Sequence, residues 1–231
     1  MPLNRNLPTS RPDAVFFDLD GTLIDSAPDL AGAANTLRRQ RALEPLPFEA
    51  LRPQVSNGAR GLVGVALGLT PDDDGYEAAR VAFLAAYETG LLNETRPFPG
   101  VPELLQTLHD LALPWGIMTN KHTRYARPVV AGLRALDASR VLVCGDTTAH
   151  PKPHPAPLLH CAEALGVAPQ RCVYVGDDLR DIQAAHAAGM VAVAAAWGYL
   201  GDSGPIEGWG ANHIARSPQD LADWLRDGPR A

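Results

Sequence analysis

From Val101 onward the chain alternates short, almost unbroken apolar runs with amphipathic stretches, and this alternation limits the fold more than any other feature. The runs are Trp115-Gly116-Ile117-Met118-Thr119, Val141-Leu142-Val143-Cys144, Cys172-Val173-Tyr174-Val175-Gly176 and Val191-Ala192-Val193-Ala194. Between them, apolar residues at helical spacing predict helices over residues 101–111, around Val129, Val130, Leu133 and Leu136, and over 155–165 and 179–189. A short helix near 218–225 closes the chain. Strands that are apolar along their whole length are buried on both faces, and strand–helix–strand succession makes them parallel.

An earlier run, Val15-Phe16-Phe17, predicts a strand over residues 14–18 that joins the same sheet. Residues 28–92 then show only helical patterns. Leu30, Ala34 and Leu37 form one; Leu62, Val63, Ala66 and Leu67 follow Asn57-Gly58; Val81, Leu84, Ala85 and Leu91 follow Tyr76. The expected architecture is α/β, a Rossmann-like parallel-sheet core of residues 13–25 and 97–231. Residues 26–96 are an inserted all-helical cap, hinged at 25–28 and 96–100, and residues 1–12 are a loose, proline-rich leader.

The first strand ends abruptly in Asp18-Leu19-Asp20-Gly21-Thr22. Residues i and i+2 of an extended chain point to one side, so Asp18 and Asp20 share a small volume at the carboxyl end of a strand, where open α/β sheets place ligands. Two carboxylates that close raise each other's pKa unless a cation lies between them. A metal site, a catalytic division of labour, or both, is the natural reading. A polar turn is the plain alternative. A calcium loop would need a third acid where Thr22 stands.

Charge and composition narrow the classes. The formal net charge of −6 argues against a nucleic-acid partner. No apolar run approaches the ~18 residues of a membrane span, and the start, Met1-Pro2-Leu3-Asn4-Arg5, lacks the apolar stretch of a signal peptide. A cytoplasmic protein with no membrane partner, monomeric or a small homo-oligomer, is expected. Cys144, Cys161 and Cys172 are spaced too widely for a zinc pair and read as buried thiols. Of the 20 basic residues only Lys121 and Lys152 are lysine, which marks places where a compact point charge is kept in an arginine-rich chain.

Three further polar sites fall beyond strand ends. Thr119-Asn120 offers a hydroxyl and backbone N–H groups, or caps a helix. Lys152 lies in His150-Pro151-Lys152-Pro153-His154-Pro155, whose prolines stiffen the loop and account for the two histidines without a metal. In Gly176-Asp177-Asp178-Leu179-Arg180-Asp181, Asp177 can be a third oxygen ligand for a hard cation. Asp181, one turn on, can face the same way; alternatively both are helix N-terminal charges.

In these four ordered motifs the chain resembles the haloacid dehalogenase-like hydrolases, phosphatase branch. The resemblance covers the whole core, and the helical insertion after the first motif is similar to that family's helical cap. It implies Asp18 as nucleophile and Asp20 as general acid/base, with Thr119, Asn120 and Lys152 around the phosphoryl group. It further implies Mg2+ bound by the Asp18 carboxylate, the Asp20 backbone carbonyl and Asp177, with Asp181 supporting through water. A second acid, Asp20, speaks against dehalogenation, and residues 26–96 lack the lysine of the phosphonate-cleaving branch.

Within the phosphatases the chain is most similar to the phosphoglycolate phosphatases and their relatives acting on N-acetylmuramic acid 6-phosphate; Val55-Ser56-Asn57-Gly58-Ala59-Arg60-Gly61, Arg96-Pro97-Phe98-Pro99-Gly100, Val143-Cys144 and Val175-Gly176-Asp177-Asp178-Leu179-Arg180-Asp181-Ile182 look particularly like the muramate-directed group. Both substrates carry a carboxylate besides the phosphate; Arg60, at the start of a cap helix behind Asn57-Gly58, is either its partner or a solvated arginine. The resemblance thus implies a magnesium-dependent phosphomonoester hydrolase acting on a small-molecule phosphate ester. A phosphohexomutase and a non-catalytic phosphate-binding module are the alternatives. Trp197 and Tyr199, after the last predicted strand, are expected to pack.

Overall fold

The computed structural model describes residues 11–228, so residues 1–10 of the expected leader lie outside the described residues. In chain order the elements are β1 (Ala14–Phe17), β2 (Ile24–Asp25), α1 (Ala27–Arg39), α2 (Phe48–Leu51), α3 (Gly58–Leu67), α4 (Tyr76–Glu88) and β3 (Arg96–Pro97). There follow α5 (Val101–Asp110), β4 (Trp115–Met118), α6 (Thr123–Gly132), β5 (Leu142–Val143), α7 (Ala156–Leu165), β6 (Cys172–Gly176), α8 (Leu179–Ala187), β7 (Val191–Ala195), β8 (His213–Ala215) and α9 (Pro218–Asp227).

Six strands form one sheet in the order β5-β4-β1-β6-β7-β8, every pair parallel. The sequence predicts this α/β sheet; it does not predict the edge strand β8. Strand β1, all four residues buried, lies between β4 and β6. The chain therefore runs to one side of β1 first and to the other later, which opens a crevice at the carboxyl ends of these three strands. Register fixes what meets there: Phe17 pairs with Ile117 and with Val175. Asp18, Thr119 and Asp177 follow directly at the strand ends.

Helices α1, α3 and α4 pack together between β2 and β3, burying Leu30, Ala34, Leu37, Leu62, Val63, Ala79 and Phe83. The two ends of this helical insertion are tied by an antiparallel ribbon, with Ile24 opposite Pro97 and Asp25 opposite Arg96. That ribbon and α2 are further elements the sequence reading lacks.

Candidate active site

A cavity of about 740 Å³ lies between the carboxyl ends of β1, β4 and β6 and the helical insertion. Asp18 stands at its floor. Asp18 Oδ1 accepts the Leu19 N–H at 2.7 Å and lies 3.0 Å from Lys152 Nζ. Asp18 Oδ2 accepts no hydrogen bond among the described residues. Burial pushes this carboxyl up to about 7, with Asp181 and Asp20 adding to the rise and Lys152 opposing it.

Asp177 is held from both sides. Its Oδ1 accepts the Thr22 hydroxyl at 2.9 Å and its Oδ2 the Tyr199 N–H at 2.8 Å. Two glycines make room for it. A Cβ on Gly21, whose φ is +85°, would fall 2.2 Å from Asp177 Oδ2, and one on Gly198 would fall 2.2 Å from Asp177 Cβ. Burial first, then Asp18 and Asp181, hold the Asp177 carboxyl well above the usual carboxylate range.

Asp181 sits in the first turn of α8, where its Oδ2 accepts the Asp178 N–H at 3.0 Å and completes a capping box. Its Oδ1 lies 2.6 Å from Lys152 Nζ. Lys152 is aimed by Asn120, whose Oδ1 accepts the Lys152 N–H at 2.9 Å while its Nδ2 donates to the Lys152 carbonyl at 3.0 Å. The amide of Asn120 is thus spent on orienting the lysine. Lys152 Nζ also donates to the Tyr174 hydroxyl at 2.8 Å, which itself donates to the Met118 carbonyl. Burial lowers the Lys152 pKa, but Asp18 and Asp181 outweigh it and the net direction is upward.

Thr119 is buried and lines the cavity, with its Oγ1 accepting the Lys121 N–H at 3.1 Å. Its own N–H is not free, as the sequence suggests, because it donates to Val143 O in the sheet. Asp20 forms a two-oxygen ion pair with Lys121 Nζ at 2.9 and 3.0 Å and accepts the Ser26 hydroxyl at 2.5 Å. Lys121 is the site residue that the sequence reading left without a role; its one signal there is the scarcity of lysine. Tyr199 does more than pack: its hydroxyl donates to Asp25 Oδ1 and accepts the N–H groups of Ser26 and Ala27.

Arg60 is not brought to the cavity. It lies exposed in the first turn of α3, while Ser56, Asn57, Gly58 and Ala59 line the wall. One step around a helix turns a side chain by about 100°, which takes Arg60 off the face that its neighbours present.

Carboxylate oxygens of Asp18, Asp177 and Asp181 lie within 4.8 Å of one another, all buried. Three acids facing one ammonium leave the pocket short of positive charge, and the neighbouring carboxylates add to the rise that burial imposes on Asp18 and Asp177. With the Asp20 carbonyl uncommitted among the described residues, the donor set of carboxylates and carbonyl is all oxygen and suits a hard divalent cation.

The family model of the haloacid dehalogenase-like hydrolases matches residues 12–189. The chain belongs to this family. Among the relatives of this haloacid dehalogenase-like hydrolase, the N-acetylmuramic acid 6-phosphate phosphatase of Pseudomonas aeruginosa is 40% identical over 212 residues, 92% of this chain and 94% of that one. The phosphoglycolate phosphatase of Xanthomonas campestris is 46% identical over 211 residues, 91% and 95% of the two chains. The crystal structure of a predicted phosphoglycolate phosphatase from Haemophilus somnus superposes with a TM-score of 0.82 at 27% identity, covering 93% of this chain and 98% of its own. No described helix of the hydrolase is long and apolar enough to cross a membrane.

Proposed function

We propose that this hydrolase is a magnesium-dependent phosphatase of small phosphate esters carrying a carboxylate, acting through an aspartyl-phosphate on Asp18. The observation that carries the reading is Asp18 itself: one oxygen is engaged by Lys152, and the other is uncommitted at the floor of a cavity. The relatives' names add the substrate class, phosphoglycolate or N-acetylmuramic acid 6-phosphate.

Asp18, Asp177 and the Asp20 carbonyl would hold the ion, with Asp181 supporting through water. Bound magnesium supplies positive charge that offsets repulsion between a phosphoryl dianion and an attacking carboxylate. Lys152 and the Thr119 hydroxyl bind the phosphoryl oxygens, and Asn120 keeps Lys152 aimed. Asp18 Oδ2 forms a bond to phosphorus as the bond to the ester oxygen breaks, and Asp20, which must enter this step carrying a proton, gives it to that oxygen. Asp20 then takes a proton from the water that attacks the aspartyl-phosphate, releasing inorganic phosphate and restoring Asp18. Residues 26–96 act as the cap that excludes bulk water, moving on the segments 25–28 and 96–100.

The test is phosphate release from p-nitrophenyl phosphate, phosphoglycolate and N-acetylmuramic acid 6-phosphate with and without magnesium, with Asp18→Asn as control. Release that needs both magnesium and Asp18, and that is fastest on a carboxylated ester, supports the reading. No release from any of the three overturns it.

A further inference from the structure

Asp20 is held from two directions, and residues of the helical insertion lie at both holds. On one side the Ser26 hydroxyl, at the start of α1, donates to Asp20 Oδ1. On the other, Lys121 Nζ contacts both carboxylate oxygens at 2.9 and 3.0 Å. Lys121 belongs to the core, two residues beyond Thr119, and its backbone is pinned at both ends. Its N–H donates to Thr119 Oγ1, and its carbonyl accepts the Gly145 N–H at 3.0 Å.

What covers Lys121 is a residue of the insertion. The ammonium lies 4.7 Å from the ring centroid of Tyr87 in α4, and only 8% of the lysine side chain is exposed. Tyr87 is itself buried, and the Lys121 ammonium is close to its hydroxyl as well as to its ring. The next residue, Glu88, forks onto Arg124 of α6 at 2.6 and 2.5 Å, and the Tyr87 ring meets that of Tyr125 at 5.9 Å. The end of α4 is thus seated on the start of α6, directly above the lysine.

An ammonium open to water exchanges partners at little cost, and an exposed ion pair fixes geometry weakly. Under an aromatic face in a low dielectric the same pair is stronger and has fewer alternatives. We propose that Lys121 is a positioning residue that couples seating of the cap to the orientation of Asp20. With Tyr87 over the ammonium, the Asp20 side chain keeps one orientation whether it gives or takes the proton; with Tyr87 withdrawn, water competes for the lysine and Asp20 loses its fixed orientation. The inference rests on the proposed role of Asp20 as the acid that protonates the leaving oxygen.

Leaving groups separate this role from a structural one. A nitrophenolate departs without a proton, whereas the alkoxide of phosphoglycolate or of N-acetylmuramic acid 6-phosphate needs one. The experiment measures alcohol release under single-turnover conditions, with enzyme in excess and magnesium present, and KM separately at steady state, for wild type, Lys121→Met, Tyr87→Leu and Lys121→Arg. The readout is the rate on the alkyl ester divided by the rate on p-nitrophenyl phosphate. Because both rates come from one preparation, loss of folded enzyme cancels.

The ratio is expected to fall about tenfold or more in Lys121→Met and Tyr87→Leu, within the roughly 10²–10⁴ that general acid catalysis supplies. KM for either ester should change less than about threefold, and Lys121→Arg should recover part of the ratio. An unchanged ratio in Lys121→Met, or a change confined to KM, overturns the role of the lysine. An unchanged ratio in Tyr87→Leu alone overturns its coupling to the cap. Wild type that releases neither alcohol overturns the phosphatase reading itself, and this inference with it.

Discussion

The ammonium of Lys152 lies 2.6 Å from Asp181 Oδ1, with 2% and 1% of the two side chains exposed. Removing one partner of such a pair leaves the other charge buried and uncompensated, at a cost of about 3–5 kcal/mol. Lys152→Met also strips the positive charge from Asp18. In urea titrations with EDTA present, the variant should lose about 3 kcal/mol, and activity should fall by roughly 10² or more. A stability loss within experimental error of zero would show that the pair does not hold these loops together.

Gly198 tests the acid pocket by size alone, because its backbone is not in the left-handed region that favours glycine. A methyl group there would sit 2.2 Å from Asp177 Cβ and 2.4 Å from the Gly21 carbonyl. Asp177 must move, so Gly198→Ala should raise the magnesium concentration for half-maximal activity by about tenfold or more. Titration of activity against magnesium checks this. A wild-type titration curve would remove Asp177 from the ligand set.

The pH dependence of the metal-free protein follows from Asp18. Burial lifts its folded-state pKa to about 7, above the unfolded value of about 4. Across that window the folded state holds more protons than the unfolded, so stability falls as pH rises and the penalty is complete above about 7. Denaturation in EDTA between pH 4.5 and 8 should show this decline in wild type relative to Asp18→Asn. Magnesium competes with those protons, so its stabilising effect should grow over the same range. A flat difference between the two proteins would contradict the burial of Asp18.

Arginines at the cavity differ in what they touch. Arg180 lines it, forks onto Asp178 at 2.7 Å through two nitrogens, and donates to the Ser56 carbonyl of the insertion at 2.6 Å. Arg60 is exposed and off the cavity. Arg60→Ala should therefore leave KM for N-acetylmuramic acid 6-phosphate within about twofold, whereas Arg180→Ala should raise it by about tenfold, the loss of a charge-assisted contact. Steady-state kinetics on both variants decide this, and the reverse ranking would restore Arg60 as the carboxylate partner.

Much of this arrangement was legible in the chain because it is local or periodic. The buried strands β1, β4, β6 and β7 are apolar runs, and Asp18, Thr119 and Asp177 follow three of them directly. What escaped is short or made by distant partners. The ribbon β2–β3 has two residues per strand and exists only because Ile24 meets Pro97. Strand β8 is three residues at a sheet edge. The position of Lys121 over Asp20 depends on the β1–β4 register, and its cover depends on where α4 comes to rest. Tyr199 reads as an ordinary aromatic after a strand, yet its two ends serve Asp177 and the segment at Asp25. Neither spacing nor composition reports such contacts.

Because Ile24 and Pro97 face each other across the ribbon, the chain departs from the sheet and returns to it at neighbouring points. The segment between them joins the sheet covalently only at this ribbon, while Ser56, Tyr87 and Glu88 touch the sheet-bearing part through side-chain contacts. Lengthening, trading or redesigning that segment would leave the order of the parallel strands untouched, so new molecules could be admitted without rebuilding the machinery that cuts them.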